Sequence, residues 1–213
     1  MSAHVADWPS TKELWTGMSG TGKTFLLTKI IRGEKARWKF VFDHKNNGEF
    51  ARANELPACY SLDEMVRATA VGGWVCYNPI KEFPGEKSRG FEMFCEFVRE
   101  LGPELRGRKL LVVDELQAVQ HARREPLQLM QICDEGRTAQ LDCYFVSSAP
   151  NRIHNAVRGQ ITKVYAFRLV EKNALNWLDE NSFDTEKIRE LKNGCYHWRN
   201  LDTGEAGEGG AAF

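Results

Sequence analysis

Short apolar runs alternate along most of the chain with segments in which apolar residues recur every three or four positions. Runs of the first kind are typical of buried strands, and the second pattern is typical of amphipathic helices. Strands are therefore predicted at residues 12–17, 38–43, 73–78, 109–114, 142–148, 163–168 and 195–199. Helices are predicted at residues 24–31, 61–69, 91–101, 126–137, 171–178 and 185–191. Strands and helices in alternation predict an α/β fold with a doubly wound, mostly parallel sheet flanked by helices.

Nothing in the sequence divides the chain into separate parts. The 213 residues contain no internal repeat and no linker, so residues 1–201 are predicted to form a single domain. Residues 202–213 (DTGEAGEGGAAF) are rich in glycine and small side chains with little to bury, which predicts a flexible tail. Residues 79–90 hold two prolines and two glycines, and they are expected to form an exposed, mobile loop.

Composition narrows the class of protein. With 42% hydrophobic and 27% charged residues, the chain is predicted to fold and not to be disordered. The 29 basic and 29 acidic residues cancel, so any nucleic-acid binding must come from a local patch or from an assembled oligomer. The six cysteines form no Cys-x-x-Cys pair, which predicts buried, reduced thiols instead of a zinc or redox site. Tryptophans at strand and helix positions are expected in the core: Trp15, Trp38, Trp74 and Trp177.

Neither a signal peptide nor a transmembrane segment is expected from the sequence. Its first residues, MSAHVADWPSTKE, lack the apolar run of a signal peptide. No stretch of 18 apolar residues occurs, so no transmembrane segment is expected.

The strongest motif is GMSGTGKT, from Gly17 to Thr24, between a predicted strand and a predicted helix. It fits the pattern G-x-x-x-x-G-K-[ST] of phosphate-binding loops, in which glycines let backbone N–H groups turn towards a phosphate at a helix N-terminus. Lys23 is expected to reach the β and γ phosphates of ATP, and the Thr24 hydroxyl to bind Mg²⁺. The residues predicted to bind ATP are Gly17, Met18, Ser19, Gly20, Thr21, Gly22, Lys23, Thr24 and Phe25.

The second motif is KLLVVDEL, residues 109–116, in which an apolar strand ends in Asp114 and Glu115. Such a strand delivers its carboxylates to the sheet edge where ligands bind in doubly wound folds. Asp114 is expected to bind Mg²⁺ as the Walker B acid, and Glu115 to act as the general base on an attacking water. The pair favours ATP hydrolysis, with a P-loop nucleoside or small-molecule kinase as an alternative.

The chain resembles the FtsK/HerA superfamily of DNA-pumping ATPases. The resemblance rests on the phosphate loop, on VVDEL and on residues 135–169 (EGRTAQLDCYFVSSAPNRIHNAVRGQITKVYAFRL), and it spans about residues 12–170. Within the superfamily the chain is most like the genome-packaging ATPases of tailless icosahedral phages and viruses with an internal membrane, of the tectivirus and corticovirus type.

The resemblance implies a RecA-like fold in which strand 142–148 lies between the phosphate-loop strand and the Walker B strand. It implies an ATPase that moves double-stranded DNA, without sequence specificity, into a preformed capsid. The implied partners are the DNA, further copies of the chain in a hexameric or pentameric ring, and capsid or viral membrane vertex proteins. The implied location is the host cytoplasm and the packaging vertex of the virion.

The same resemblance implies roles for two further residues. Arg137 matches the position of an arginine finger donated to a neighbouring subunit, with Arg152 and Arg158 as further candidates. The family has a glutamine that senses the γ phosphate where this chain has Ser148. Because serine is shorter, it would reach the phosphate only through a water. Sensing at Ser148 is therefore one of two open interpretations.

Residues 79–90 supply the candidate DNA contacts, Lys81, Lys87 and Arg89. They would touch phosphates of the DNA backbone without reading bases. Two other functions share the motifs. One is a filamentous-phage-type assembly ATPase, which would ordinarily need a membrane span. The other is a non-catalytic, ATP-switched scaffold, against which Glu115 argues.

Overall fold

The protein contains a nine-stranded sheet in its computed structural model, which describes residues 10–45, 48–120 and 125–210. The strands are β1 (Lys12–Thr16), β2 (Trp38–Phe42), β3 (Ala58–Cys59), β4 (Gly73–Tyr77), β5 (Lys109–Val113), β6 (Leu141–Ser147), β7 (Lys163–Phe167), β8 (Cys195–Asn200) and β9 (Ala206–Gly210). All seven predicted strands are confirmed to within one residue at either end. The two-residue strand β3 and strand β9 were not predicted.

Helices separate most of the strands. They are α1 (Lys23–Gly33), α2 (Glu49–Ala53), α3 (Leu62–Val71), α4 (Lys87–Leu101), α5 (Leu116–Val119), α6 (Leu127–Ala139), α7 (Asn155–Arg158), α8 (Lys172–Glu180) and α9 (Thr185–Glu190). The six predicted helices are confirmed. Helix α4 begins four residues earlier than predicted, so the end of the expected loop at residues 79–90 is its first turn. No helix among the described residues is both long enough and apolar enough to cross a membrane.

The strand order is β3-β4-β2-β5-β6-β1-β7-β8-β9. Strand β6 therefore lies between β5 and β1 in the sheet, as the resemblance implies for residues 142–148. Strand β2 pairs in parallel with β4 and with β5, and β1 pairs in parallel with β7. Strands β7, β8 and β9 pair antiparallel. The mostly parallel α/β sheet is thus confirmed.

Contacts within the chain define two compact units. The first unit comprises Met1–Thr11, Lys35–Val113 and Pro126–Cys143, and the second comprises Lys12–Glu34, Asp114–Glu125 and Tyr144–Phe213. The assignment of residues 1–201 to a single domain stays a prediction.

The first unit is built around β2, whose five residues are all buried. The ring of Phe42 contacts those of Phe91 and Phe94, with centroids 5.0 Å and 5.4 Å away. At the other end of the unit the carboxylate of Asp142 is 1% exposed and accepts hydrogen bonds from Arg108 Nε and Thr11 N, each at 2.8 Å. Because both carboxylate oxygens are bonded, this buried charge is compensated.

The N-terminus of α3 shows how the local sequence starts a helix. The Ser61 hydroxyl accepts a hydrogen bond from Glu64 N at 3.3 Å, as the Ser-x-x-Glu pattern predicts. The Glu64 carboxylate accepts from Tyr60 N, one residue before the position that the standard capping box uses. Both contacts satisfy backbone donors at the start of the helix.

The second unit is built around β1 and β7, with Leu14, Trp15 and Thr16 fully buried. The Trp15 ring stacks on Tyr165 with centroids 4.0 Å apart. Among the tryptophans expected in the core, Trp15, Trp38 and Trp177 are buried, whereas Trp74 is half-buried. The six cysteines are free thiols, and five of them are buried.

The predicted flexible tail at residues 202–213 is wrong for the part that the structure describes, because residues 206–210 form β9. Glycine permits this strand because it leaves room for aromatic side chains of β8. A Cβ atom on Gly209 would lie 2.4 Å from Tyr196 Cζ, and one on Gly207 would lie 2.8 Å from Trp198 Nε1. The small residues that indicated a tail are therefore the ones that let the hairpin pack. Residues 211–213 lie outside the described residues.

This packing predicts that Gly209→Ala lowers the free energy of unfolding by about 1–3 kcal/mol, the usual cost of overpacking. The Tyr196 ring has little room to move, because it already contacts the rings of Tyr165 and Phe167. Urea unfolding followed by circular dichroism measures the change.

The matched control is Gly210→Ala, in which the new Cβ would lie 3.7 Å from its nearest neighbour, an ordinary contact. Equal stability of the two variants would show that β9 does not pack on β8.

Candidate nucleotide site

The phosphate loop joins the end of β1 to the start of α1, and close packing restricts its first residue to glycine. A Cβ atom on Gly17 would lie 2.7 Å from Phe167 Cβ and 3.2 Å from the Arg168 carbonyl oxygen. At the other end of the loop, Gly22 caps α1 with φ 93°, in the left-handed region that favours glycine. The motif thus needs glycine at these two positions for two different reasons.

Three backbone hydrogen bonds hold the loop from different elements of the second unit. Met18 N donates to Arg168 O at 2.9 Å, just after β7, and Gly17 N donates to Ser147 O at 3.4 Å, at the end of β6. The Thr21 carbonyl accepts from Gly194 N at 3.0 Å, just before β8. The loop conformation is therefore set by its neighbours in the fold.

The middle of the loop leaves its backbone donors available. Among the described residues, no group accepts a hydrogen bond from the N–H groups of Ser19, Gly20, Thr21 or Gly22. These four consecutive donors precede α1, whose N-terminus carries a partial positive charge. Consecutive N–H groups at a helix N-terminus form a binding site for phosphate. The loop therefore fits the β and γ phosphates of ATP.

Lys23 is the cation of this site, although it is only 7% exposed. Its Nζ atom donates to the carbonyl oxygens of Gly17 and Met18, each at 2.7 Å. The Thr21 hydroxyl donates to the same Met18 oxygen at 2.8 Å. These contacts keep the ammonium group inside the loop and hydrogen-bonded, so it can exchange carbonyl oxygens for phosphate oxygens.

Two other predicted ATP-binding residues follow Lys23 on α1. Thr24 is half-buried, and its hydroxyl belongs to the second residue of the helix. Phe25 is 52% exposed.

The Walker B carboxylates follow β5 directly. Asp114 is 5% exposed, whereas Glu115 is half-buried and begins α5 in the left-handed conformation, at φ 52° and ψ 50°. For a residue other than glycine this conformation costs about 1–2 kcal/mol. Strain of this kind is concentrated at functional sites, where the surrounding structure holds it in place.

Ser148 is exposed and directly follows β6. Its hydroxyl accepts a hydrogen bond at 3.0 Å from Nε2 of Gln117, a residue that lies outside both motifs. Residues 117 and 148 are far apart in sequence, and neither motif includes Gln117, so only its position two residues after Glu115 could have drawn attention to it.

The structure brings the predicted nucleotide residues together in one unit. The phosphate loop, Asp114, Glu115 and Ser148 all belong to the second unit. Arg137 belongs to the first unit, where it is exposed near the C-terminus of α6. Among the described residues, the Arg137 side chain has no hydrogen-bonded or ion-paired partner.

The candidate DNA contacts also lie in the first unit, and all three are exposed. Lys81 Nζ lies 3.9 Å from the centre of the Tyr60 ring, and Arg89 pairs with Glu86 at 3.4 Å. Lys87 is the first residue of α4. A positive charge at a helix N-terminus opposes the helix dipole, so Lys87 does not stabilise α4.

Asp43, at the end of β2, supports a neighbouring element of the first unit. Its Oδ2 atom accepts a hydrogen bond at 3.1 Å from Ala51 N, in the first turn of α2.

The residues present suit a Mg²⁺ ion that is held jointly with a nucleotide. The described residues contain no group of three His, Cys, Asp or Glu side chains that could hold a metal by themselves. Mg²⁺ is commonly bound by one or two protein oxygens together with phosphate oxygens. The Thr24 hydroxyl and the Asp114 carboxylate are oxygen ligands of that kind.

The geometry predicts that Lys23→Ala weakens ATP binding by about 10²-fold or more, because charged hydrogen bonds to the phosphates are lost. Equilibrium titration with ATP measures the effect. Lys29→Ala, which removes an exposed lysine from the same helix, is the matched control and should leave the affinity unchanged. Equal affinity of the Lys23 variant and the parent would contradict a phosphate-binding role for this loop.

No family model and no curated protein matches the chain. Solved structures do match. The genome packaging NTPase B204 from Sulfolobus turreted icosahedral virus 2, in complex with AMPPCP, aligns with a TM-score of 0.76 at 15% identity, over 96% of this chain and 99% of that one. B204 from Sulfolobus turreted icosahedral virus, described as a DNA-packaging ATPase, aligns with a TM-score of 0.74 at 15% identity, over 94% and 97%.

A third match is the cytoplasmic domain of the type VII secretion ATPase EccC from Thermomonospora curvata. It aligns with a TM-score of 0.60 at 13% identity, over 95% of this chain and 25% of that one. At such identities the likeness concerns the fold. Together with the strand order, it shows that the chain has the RecA-like P-loop NTPase fold expected from its sequence.

Proposed function

We propose that the protein is an ATPase that moves double-stranded DNA and packages a viral genome into a preformed capsid. The observation that carries the ATPase part is the set of four available backbone donors, residues 19–22, in the same unit as Lys23 and the Asp114-Glu115 pair. Phosphate binding and water activation need these two kinds of group.

Each residue has a distinct part in the proposed hydrolysis. The loop N–H groups and Lys23 bind the β and γ phosphates and neutralise the charge that develops on them. Thr24 and Asp114 would hold Mg²⁺, which supplies further neutralisation of phosphate charge when it is bound. Glu115 accepts the proton of the water that attacks the γ phosphate, and the products are ADP and phosphate.

The DNA-moving part rests on likeness to B204. That likeness covers nearly all of both chains, and B204 is described as a genome-packaging protein and as a DNA-packaging ATPase. A single small subunit cannot stay on DNA while it moves, so the proposal includes a homo-oligomeric ring, hexameric or pentameric, at the packaging vertex. Capsid or viral membrane vertex proteins would attach the ring there.

The proposed DNA contacts are weak in each subunit. Residues 81–89 contain three basic and two acidic side chains, Lys81, Lys87 and Arg89 against Glu82 and Glu86, a net charge of +1. One such segment attracts DNA only slightly, whereas several segments around a channel sum their contacts to the DNA backbone.

The proposal predicts release of phosphate from ATP that increases when double-stranded DNA of random sequence is added at fixed salt. Glu115→Gln should retain ATP binding and slow both the basal and the stimulated rates by about 10²- to 10⁴-fold, the range for loss of a positioned base. Steady-state phosphate release and ATP titration measure the two properties.

The outcomes separate the alternatives. Phosphate release without any response to DNA would support the ATPase and contradict the motor. Transfer of the γ phosphate to an added nucleoside, in place of its release, would indicate a kinase. Nucleotide binding without turnover would indicate an ATP-switched scaffold.

If Arg137 is donated across a subunit boundary, mixing Arg137→Ala chains with Glu115→Gln chains should restore part of the activity that each variant lacks alone. Some interfaces in the mixture pair an intact Arg137 with an intact Glu115. A cation delivered by a neighbour contributes roughly 10³-fold or more to such reactions. Turnover of mixed and separate variants, at concentrations where a ring is seen by native mass spectrometry, measures the rescue.

Full activity of Arg137→Ala alone would remove Arg137 as the finger and leave Arg152 and Arg158 as candidates. Rings that form without rescue would contradict a site shared between subunits.

A further inference from the structure

Glu115, the base proposed for hydrolysis, has a strained backbone and is followed by a very short helix. Glu115 is in the left-handed conformation and leads into α5, which has only four residues, Leu116–Val119. A helix of one turn has almost no stability of its own, so its orientation depends on contacts to the rest of the fold. The backbone position of Glu115 therefore depends in part on a restraint that holds α5 from outside.

Gln117, on α5, provides such a restraint. Its Nε2 atom donates to Ser148 Oγ at 3.0 Å, across 31 residues of sequence. Ser148 directly follows Ser147, whose carbonyl oxygen accepts from Gly17 N at the start of the phosphate loop. One side-chain hydrogen bond and one backbone hydrogen bond thus connect α5 to the loop that is expected to hold the phosphates.

This contact adds little to stability. While Nε2 is bonded to Ser148, the Oε1 atom of Gln117 is buried and has no hydrogen-bond partner among the described residues. Exchange of the two amide atoms would leave the nitrogen in the same situation. A buried polar atom without a partner costs about as much as one hydrogen bond contributes, so the two effects offset each other. The arrangement is better explained by a role in the reaction than by a role in folding.

We propose that Gln117 and Ser148 form a positioning pair that sets the orientation of Glu115 relative to the phosphate loop. The pair touches neither ATP nor the attacking water, and Ser148 acts through Gln117 and not on the γ phosphate. This inference rests on the ATP hydrolysis proposed above. It gives Ser148 a role that does not require its short side chain to reach the nucleotide.

The test compares Gln117→Ala, Ser148→Ala, the double variant and Ser148→Thr. Gln117→Ala should lower kcat about 2- to 10-fold, the range for one neutral hydrogen bond, while the affinity for ATP and the urea midpoint of unfolding stay at the parental values. Because Ser148 acts through Gln117, the double variant should be no slower than Gln117→Ala. Ser148→Thr keeps a hydroxyl and should recover most of the rate lost in Ser148→Ala.

A matched control is Gln128→Ala, the same substitution at a glutamine in the first unit that accepts a hydrogen bond from Arg99 at 2.8 Å. It should keep the parental kcat.

Three results would contradict the proposed positioning role of Gln117 and Ser148. These are an unchanged kcat in Gln117→Ala, rate losses that multiply in the double variant, and a fall in the unfolding midpoint that accounts for the lost activity. In each of these cases the parent still hydrolyses ATP and the proposed ATPase stands. If the parent itself releases no phosphate from ATP, the ATPase proposal and the pair fail together.

Discussion

The site depends on how the phosphate loop divides its backbone hydrogen bonds. The N–H groups at the start of the loop are bonded to carbonyls beside β6 and β7, and the carbonyl of Thr21 is bonded to the turn before β8. The N–H groups between these anchors, residues 19–22, are left available. Unbonded donors would normally cost stability, but here solvent reaches Ser19 and Gly20, and an anion can replace that solvent. The neighbouring strands hold the loop open so that it does not have to reorganise when a phosphate binds.

Two further features of the site lower the stability of the protein and prepare the site for a ligand. Lys23 is buried, and its ammonium group donates hydrogen bonds to the carbonyl oxygens of Gly17 and Met18. Phosphate oxygens can replace these carbonyl oxygens, because an ammonium group forms stronger, charge-assisted hydrogen bonds with them. Glu115 carries backbone strain of about 1–2 kcal/mol at the turn where a base is expected. The fold tolerates both features because the aromatic packing around Trp15 and Tyr165, in the same unit, stabilises that unit without a ligand.

The sequence predicts the periodic part of this structure and the residues within its two motifs. Strand and helix positions follow from apolar spacing, and Gly17 to Thr24 and Asp114-Glu115 follow from local patterns whose chemistry requires particular residue types. Features that depend on a distant partner are not predictable in this way. From the sequence alone, Gly207 and Gly209 indicate a flexible tail, because nothing in the sequence distinguishes a glycine that makes room for an aromatic ring from one in a flexible segment. The structure shows that Trp198 and Tyr196 lie opposite them. The bond between Gln117 and Ser148 is a second example, since neither residue is unusual in its own segment.

The net charge of zero limits the ways in which the proposed motor could bind DNA. Each contact to a DNA phosphate is weakened by salt, and 29 basic residues offset by 29 acidic ones leave no long-range field to keep a lone subunit on DNA. A ring removes the need for such a field, because weak contacts from several subunits act on one duplex at high effective concentration. Weak individual contacts also favour movement, since a strong contact would have to be broken at every step. The same ring would bring the exposed Arg137 of one subunit towards the site of its neighbour. One assembly would then meet both requirements of the proposed function, attachment to DNA and completion of the site that hydrolyses ATP.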